Sequence, residues 1–253
     1  MKTQDRILNF VLPFITVAVI LILWAAAARA VGSEYILPTI GETLSALFEL
    51  FKSADFYRAF FGTLLRSFIA FALSFALAFL AAFTAYKSEK AKRALKPFIV
   101  IVRALPTIAV VLLLVVWTNS RVAPIIVTFL VVFPTLYTNL YAALCKIDTE
   151  LNEMCKVFSV SEKKRLIKVV FPQVAPEFIA AAGAGLTLNL KLMVAAEVLS
   201  QTARSLGYLL NTSKVYFEIS AMLALVLVAV ATGLIIELIF SVIAKKAVKN
   251  DKS

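Results

Sequence analysis

Histidine is missing from the sequence, cysteine occurs only twice, and basic residues outnumber acidic ones by 26 to 15 in 253 residues. Because histidine is the commonest general base and metal ligand among the side chains, we expect no histidine-based catalytic centre and no metal site. A Gly-x-x-x-x-Gly-Lys-(Ser/Thr) phosphate-binding loop is also missing, so we expect no cofactor here and any ATP to be bound by a different polypeptide. Cys145 and Cys155 flank one charged segment, and we interpret both as reduced thiols.

Apolar residues make up 62% of the sequence, and the mean hydropathy is +0.93. Soluble domains are about 45–50% apolar, so this composition predicts a protein that crosses the lipid bilayer several times. The net charge of +11 would suit nucleic acid, but the basic residues cluster at the ends of apolar runs, as orientation signals do. We therefore predict a membrane protein with no nucleic-acid partner. The first apolar run is long enough to span, so we expect no cleavable signal peptide.

Six apolar runs are each long enough to cross the hydrocarbon layer, which needs about 20 helical residues. They cover approximately residues 7–28, 60–86, 98–117, 124–144, 178–199 and 221–244. We predict an all-α polytopic membrane protein with six transmembrane helices that form a single domain over residues 1–253. No internal repeat, low-complexity tract or linker indicates a second domain.

The termini and the connections between the predicted spans form two alternating sets, one on each side of the membrane. Lysine and arginine are distributed unequally between these two sets. One set holds Lys2, Arg6, Lys87, Lys90, Lys92, Arg93, Lys96, Lys146, Lys156, Lys163, Lys164, Arg165, Lys168, Lys245, Lys246, Lys249 and Lys252. The other set holds only Arg29, Lys52, Arg58, Arg121, Arg204 and Lys214. Because cytoplasmic segments carry the excess of positive residues, we predict that both termini and the segment 150–176 are cytoplasmic.

The segment 150–176 is a charged island between long apolar runs. Its first half places Leu151, Met154, Cys155 and Phe158 on one helical face. Its second half begins with Ser159 and Glu162 at capping-box spacing and ends at two prolines, which we expect to oppose continuation of the helix. The pattern predicts two short helices joined by a tight corner outside the bilayer. Their apolar and charged side chains would form a protruding surface that a partner can contact.

The order of residues in this segment resembles the EAA loop of the membrane subunits of binding-protein-dependent ABC importers. That pattern has Glu-Ala-Ala, a glycine six residues after the glutamate and a Leu-Pro ending nineteen after it. Here Glu153 and Pro172 have the same spacing, whereas Met154 and Cys155 replace the alanines and Ser159 replaces the glycine. Serine can cap a helix N-terminus, so we expect the corner to survive this replacement.

Further residues resemble the sulfonate, nitrate and taurine branch of the same importer family. They are Leu37-Pro38, Thr63-Leu64 with Arg66, Arg103-Ala104-Leu105-Pro106, Phe133-Pro134 with Asn139, Val194-Ala195-Ala196-Glu197 and Ser205-Leu206-Gly207-Tyr208-Leu209. The resemblance therefore covers nearly the whole chain.

The resemblance implies a permease subunit in a bacterial cytoplasmic membrane, working by alternating access, rather than an enzyme. Its partners would be cytoplasmic ABC ATPase subunits, an extracytoplasmic solute-binding protein and a second permease copy in a homodimer. The solute would be a small anion such as a sulfonate, nitrate or taurine, or a vitamin precursor. The segment 150–172 would dock on the ATPase and couple it to the membrane helices, through Glu153, Met154, Phe158, Ser159, Ser161 and Pro172.

Charged residues inside the predicted spans call for a partner, because each costs about 2.5–3.5 kcal/mol at a helix centre. Lys191 lies near the middle of the fifth span, among small residues typical of a helix packed in the interior. It either makes a polar contact between helices or lines the translocation path and favours anions. Arg103 and Arg66 either reach the lipid headgroups or act as anchors, Arg103 also as a cation lining a cavity beside Pro106. The candidate path residues are Lys191, Asn189, Arg103 and Glu197.

Two other classes of function remain open on the residues alone. An autonomous secondary transporter or channel would use Lys191, Arg103 and Glu197 as ion-coupling groups, but it would have no need of the segment 150–176. The lack of an inverted repeat also argues against it. An intramembrane enzyme would need a nucleophile paired with a base, and no serine and lysine stand at useful spacing.

Overall fold

The computed structural model describes the backbone of residues 2–250. Side chains are described for all of these residues except 2–11, 13, 149, 152, 156 and 247–250. Lys252 lies outside the described residues, and so do the side chains of Lys2, Arg6, Lys156 and Lys249, on which part of the orientation prediction rests.

Every regular element in the described part of the chain is helical, which confirms the all-α prediction. The helices are α1 (Lys2–Val31), α2 (Ile40–Lys52), α3 (Ala54–Lys87), α4 (Glu89–Ala104), α5 (Thr107–Trp117), α6 (Ala123–Cys145), α7 (Thr149–Val157), α8 (Glu162–Arg165), α9 (Phe171–Ser200), α10 (Leu206–Val215) and α11 (Ile219–Asn250). A π-helical turn, Leu166–Val170, joins α8 to α9 without a break.

Five helical stretches in the described chain are long and apolar enough to cross a membrane, and a bent pair makes a sixth if it is counted as one span. The bent pair is α4 and α5, whose axes meet at 92°. The third predicted span (98–117) is therefore broken rather than straight. The cause lies at Pro106, which has no N–H to continue the helix and biases Leu105 to an extended backbone with ψ of 127°.

The first of two compact units comprises residues 1–57 and 209–228. Within it, α1 ends at Gly32, whose φ of 63° reverses the chain in a way that suits glycine. α2 then begins with a reciprocal cap, because Thr39 Oγ1 accepts from the Glu42 N–H at 3.3 Å and Glu42 Oε2 accepts from the Thr39 N–H at 2.7 Å. Trp24 Nε1 donates to the Pro38 carbonyl at 3.0 Å and ties α1 to the start of α2.

The second compact unit comprises residues 58–208 and 229–253, and its core lies where α3, α6 and α9 meet. Leu136 and Leu140 of α6 and Met193 of α9 have no exposed surface. Facing them, α3 contributes a row of buried alanines at helical spacing, Ala78, Ala82 and Ala85. Small side chains let membrane helices approach closely, so α3 can pack directly in this core.

Candidate coupling segment and membrane-embedded charges

The segment 150–172, which we call the elbow, leaves α6 and turns back into α9. Its first helix, α7, begins just after Asp148, whose Oδ1 accepts from the backbone N–H of Glu150 at 2.8 Å and of Leu151 at 3.2 Å. A carboxylate in this position satisfies amide groups that have no partner inside the helix and suits the helix dipole. The first of the two predicted helices is thus confirmed.

The corner of the elbow is built on Ser159, but not through the capping box that its spacing predicts. Ser159 has a φ of 51°, in the left-handed region, and the Val160 N–H donates to the Cys155 carbonyl at 2.9 Å. This hydrogen bond across a left-handed residue is typical of a helix C-terminus, where glycine is the usual choice. α8 starts instead after Ser161, whose side chain makes no capping hydrogen bond. The capping-box prediction was wrong, because Ser159 ends α7 rather than starting the next helix.

The second half of the elbow runs on into the membrane. From Glu162 to Ser200 the chain is one helical stretch of 39 residues, so the prediction that Pro172 and Pro176 oppose continuation was wrong. The π-helical turn just before Pro172 explains this, since there the Phe171 N–H donates to the Leu166 carbonyl, five residues back. The wider turn accommodates a proline that has no N–H of its own.

The elbow presents apolar side chains on its surface. Val157 is 79% exposed, Phe158 73% and Met154 53%, and the charged Glu153 is exposed on the same helix. Water-exposed clusters of large apolar side chains, rimmed by charge, mark surfaces that contact another protein.

Two polar contacts fasten the short connection between α6 and α7, just before the elbow, to the first turns of α9. The Lys146 ammonium lies 2.8 Å from Glu177 Oε1, and the Asp148 backbone N–H donates to Gln173 Oε1 at 2.9 Å. The Lys146–Glu177 pair is exposed and contributes little on its own. Together the two contacts hold the connection that leads into α7 against the start of α9.

At the opposite end of α9, the Glu197 side chain is completely buried. Its Oε1 lies 2.8 Å from both Nε and Nη2 of Arg66 on α3, and its Oε2 accepts from Thr63 Oγ1 at 2.8 Å. The Gly207 N–H donates to the same Oε2 at 3.4 Å. We call these four residues the carboxylate cluster. Arg66 and Glu197, two membrane charges that sequence analysis left without partners, neutralise each other here. The cluster as a whole connects α3, α9 and α10.

The other candidate path residues occupy different surroundings. Asn189 is completely buried, and its Nδ2 donates to the carbonyl and to Oγ of Ser67 on α3, each at 2.7 Å. Lys191 is exposed and makes no hydrogen bond or ion pair with any described residue. The expectation of a buried Lys191 packed in the interior was therefore wrong for the single chain. Asn189 and Glu197 hold α9 in place, whereas Lys191 lies on the face of α9 that this chain leaves open.

Arg103 lies at the end of α4, beside the break at Pro106. Its Nη2 donates to the Pro134 carbonyl at 3.1 Å and to Thr138 Oγ1 at 2.6 Å, both on α6. It also lines a cavity of about 380 Å³, together with Thr107 and Thr135. The structure thus gives Arg103 an anchoring contact and a place on a cavity wall.

The residues missed by sequence analysis belong to the carboxylate cluster. Thr63 and Gly207 carry no charge, and a Cβ at Gly207 would lie 2.4 Å from Glu197 Cβ, so the position requires glycine. The only signal in the sequence was the presence of two opposite charges inside predicted spans, each of which needs neutralisation. Among the described residues, no group of three or more Cys, Asp or Glu side chains is placed to hold a metal ion.

The described chain is thus a helical membrane domain with an exposed elbow. The sequence matches, over residues 74–249, the family described as binding-protein-dependent transport system inner membrane component, and the chain belongs to this family. It is therefore a multi-pass permease component of a transport system, as the resemblance predicted.

Individual relatives agree with this assignment, and a solved structure has a similar fold. The chain is 23% identical to the formylaminopyrimidine transport permease protein ThiX of Halalkalibacterium halodurans, over 66% of this chain and 67% of ThiX. It is 22% identical to the taurine transport system permease protein TauC of Escherichia coli, over 88% of this chain and 83% of TauC. The fold matches a structure of the inward-facing MetNI methionine ABC transporter with a TM-score of 0.65 and 18% identity, over 76% of this chain and 96% of that one.

Proposed function

We propose that this permease is one half of a homodimeric, ATP-driven importer whose elbow is the docking site for a cytoplasmic ABC ATPase. A solute-binding protein on the outer side delivers the solute, and the path runs between the two permease copies by alternating access. Both termini are cytoplasmic in this arrangement. The ATP is bound by the partner, and this chain carries no cofactor.

The observation that carries the proposal is the exposure of Val157 and Phe158 at the tip of the elbow. A membrane subunit that worked alone would have no reason to hold two large apolar side chains, 79% and 73% exposed, on a charged segment outside its spans. An ATPase groove that covered them would bury apolar surface, and Glu153 on the same helix would orient the contact. Because the residues just before α7 are fastened to α9, closure of the ATPase dimer would move a membrane helix.

Lys191 supports the second part of the proposal, that the open face of α9 lines the path. A lysine near the middle of a span is costly in contact with lipid, and here no described residue neutralises it. Its neighbours along the same face are small, since Ala184 and Ala195 are also exposed. A water-filled path between two copies gives the ammonium both hydration and a role.

An anion is the solute class that suits this face, because Lys191 supplies a positive charge, whereas of the two carboxylates on α9 Glu197 is buried and Glu177 is paired with Lys146. Taurine, which carries a sulfonate, is the substrate named for TauC. We therefore propose a sulfonate, nitrate or taurine-like anion, or a vitamin precursor, with selection made largely by the binding protein.

The proposal is tested by purifying the permease from its own membranes in mild detergent and identifying the polypeptides that come with it. A protein with a phosphate-binding loop should copurify with the natural chain and be lost with Phe158→Ser and Glu153→Lys. Both side chains are exposed, so the permease itself should fold normally. Glu89→Lys is the matched control, since it reverses an exposed charge in the first turn of another helix on the same predicted side. Retention of the ATPase and full uptake in both elbow variants would refute the docking role.

A further inference from the structure

Five phenylalanines form an apolar groove to which the proposed function assigns no role, and one of them, Phe171, lies at the end of the elbow. The groove has a volume of about 490 Å³ and is lined by Phe75 and Phe79 of α3, Phe171, Ala175 and Phe178 of α9, and Phe240 of α11. Every residue that lines it is apolar. A groove of this kind has no group that could bind the anionic solute proposed above.

The groove occupies one leaflet of the bilayer, on the side of the elbow. Phe79 precedes Lys87 by eight residues, or about 12 Å along α3, and Phe240 precedes Lys245 by five. On α9, Phe171 follows Lys168 by three residues. The groove therefore reaches from the lysines at the helix ends to roughly the middle of the bilayer, whose hydrocarbon layer is about 30 Å thick.

Close packing of side chains forms the walls of the groove, and the side that faces away from the helices is open. The rings of Phe79 and Phe178 meet edge to face with centroids 5.8 Å apart. α9 and α11 approach so closely at Gly183 that a Cβ there would lie 2.4 Å from Phe240 Cβ. At the mouth, Phe171 is 63% exposed and Phe79 is 37% exposed. In a membrane, an apolar recess with an open side contacts the acyl chains of lipids.

Positive charge lies where a lipid headgroup would be. The Lys87 ammonium is 4.7 Å from the centre of the Phe83 ring, which stacks on Phe79 at 6.2 Å. Lys168 is exposed one turn before Phe171. No acidic residue lines the groove, so the local charge favours an anionic headgroup.

We propose that this groove is a binding site for an anionic phospholipid of the leaflet on the elbow side. One acyl chain lies along the phenylalanines, and the phosphate lies near Lys87 and Lys168. Since the groove contacts the first turns of α9, a bound lipid supports the helix that connects the elbow to the carboxylate cluster.

Native mass spectrometry of the full chain, with any subunits that copurify in mild detergent, tests this proposal. The probes are dioleoyl phosphatidylglycerol and dioleoyl phosphatidylcholine, titrated separately. The natural chain should retain the anionic lipid preferentially. Each lysine near a headgroup contributes about a fivefold effect, so Lys87→Gln with Lys168→Gln should weaken phosphatidylglycerol binding by about 25-fold. The matched control, Lys90→Gln with Lys96→Gln, removes two exposed charges from α4 on the same side and should change binding by less than about twofold.

The acyl-chain half of the proposal is tested separately with Ala175→Trp, which fills the groove and should reduce retention of both lipids. If that variant folds poorly, Phe171→Asn at the exposed mouth gives the same readout without a change in the core. Equal retention of the two lipids by the natural chain would overturn the proposal, as would equal effects of the two lysine pairs. Unchanged lipid binding together with loss of the dimer in Ala175→Trp would also overturn it, since the groove would then be covered by the second copy.

Discussion

The carboxylate cluster yields the sharpest prediction, because it places a completely buried carboxylate beside one cation. Arg66→Leu removes the guanidinium and leaves the Glu197 carboxylate with only the Thr63 hydroxyl and the Gly207 N–H. Neither group carries a positive charge that could offset burial. We expect this single change to destabilise the permease severely.

The size of the effect follows from the burial. Breaking a buried ion pair by removing one partner costs about 3–5 kcal/mol, because the remaining charge has no compensation. In a protein of this length each kcal/mol lowers the melting temperature by about 2–4 °C, so the expected decrease is about 6–20 °C. Removing both charges, as in Arg66→Leu with Glu197→Leu, should recover most of the loss, since two apolar side chains replace the pair.

Thermal unfolding in mild detergent, followed by circular dichroism at one lipid-to-protein ratio, measures both variants. Arg121→Leu provides the control, because Arg121 is exposed and its side chain makes no hydrogen bond or ion pair with any described residue. The reasoning is refuted if Arg66→Leu melts within about 2 °C of Arg121→Leu. It is also refuted if the double variant is no more stable than Arg66→Leu, because the two charges would then act independently.

Three further predictions concern the elbow, the path and the glycine of the carboxylate cluster. Ser159→Gly should stabilise the corner by about 0.5–1 kcal/mol, because a left-handed backbone is strained for serine but not for glycine. Hydrogen exchange of the peptide that covers residues 155–162 should then slow about threefold. Ser159→Val should accelerate the same exchange. Lys191→Met should lower uptake of an anionic solute at least tenfold, whereas Lys191→Arg should preserve it. Uptake is measured in vesicles with the copurified ATPase, and equal uptake by the two variants would count against a path role. Gly207→Ala should cost about 1–3 kcal/mol in thermal unfolding, because its Cβ would lie 2.4 Å from Glu197 Cβ. Gly41→Ala is the control, with its nearest atom at 3.9 Å, and a loss of stability as large as that of Gly207→Ala would contradict the argument.

The spans were predictable because they depend on the length of apolar runs, a property that is local in sequence. Five of the six predicted spans correspond to single helical stretches, and the remaining one, the third (98–117), corresponds to the bent pair α4 and α5. The angle between them was not predictable, since Pro106 indicates a break but not its direction. The family was also within reach, because the spacing of Glu153 and Pro172 is preserved in a single short segment.

The internal arrangement could not be predicted, because it depends on contacts between residues distant in sequence. Arg66 and Glu197 are 131 residues apart, and nothing local identifies one as the partner of the other. Pro172 illustrates a different difficulty. Proline ends most helices, but here a π-helical turn removes the conflict, and the sequence of that turn, Leu166–Val170, has no distinguishing feature. Lys191 was placed in the interior because its neighbours are small, although small residues also suit a face shared by two copies.

The continuous stretch from Glu162 to Ser200 has a mechanical consequence. At 1.5 Å per residue, 39 residues extend about 58 Å, farther than the bilayer is thick. A stiff rod of that length works as a lever arm: tilting it by about 5° around its far end displaces the near end by about 5 Å, with no residue along it changing conformation. If the elbow docks an ATPase as proposed, no relay of small rearrangements would be needed to carry its movement across the membrane.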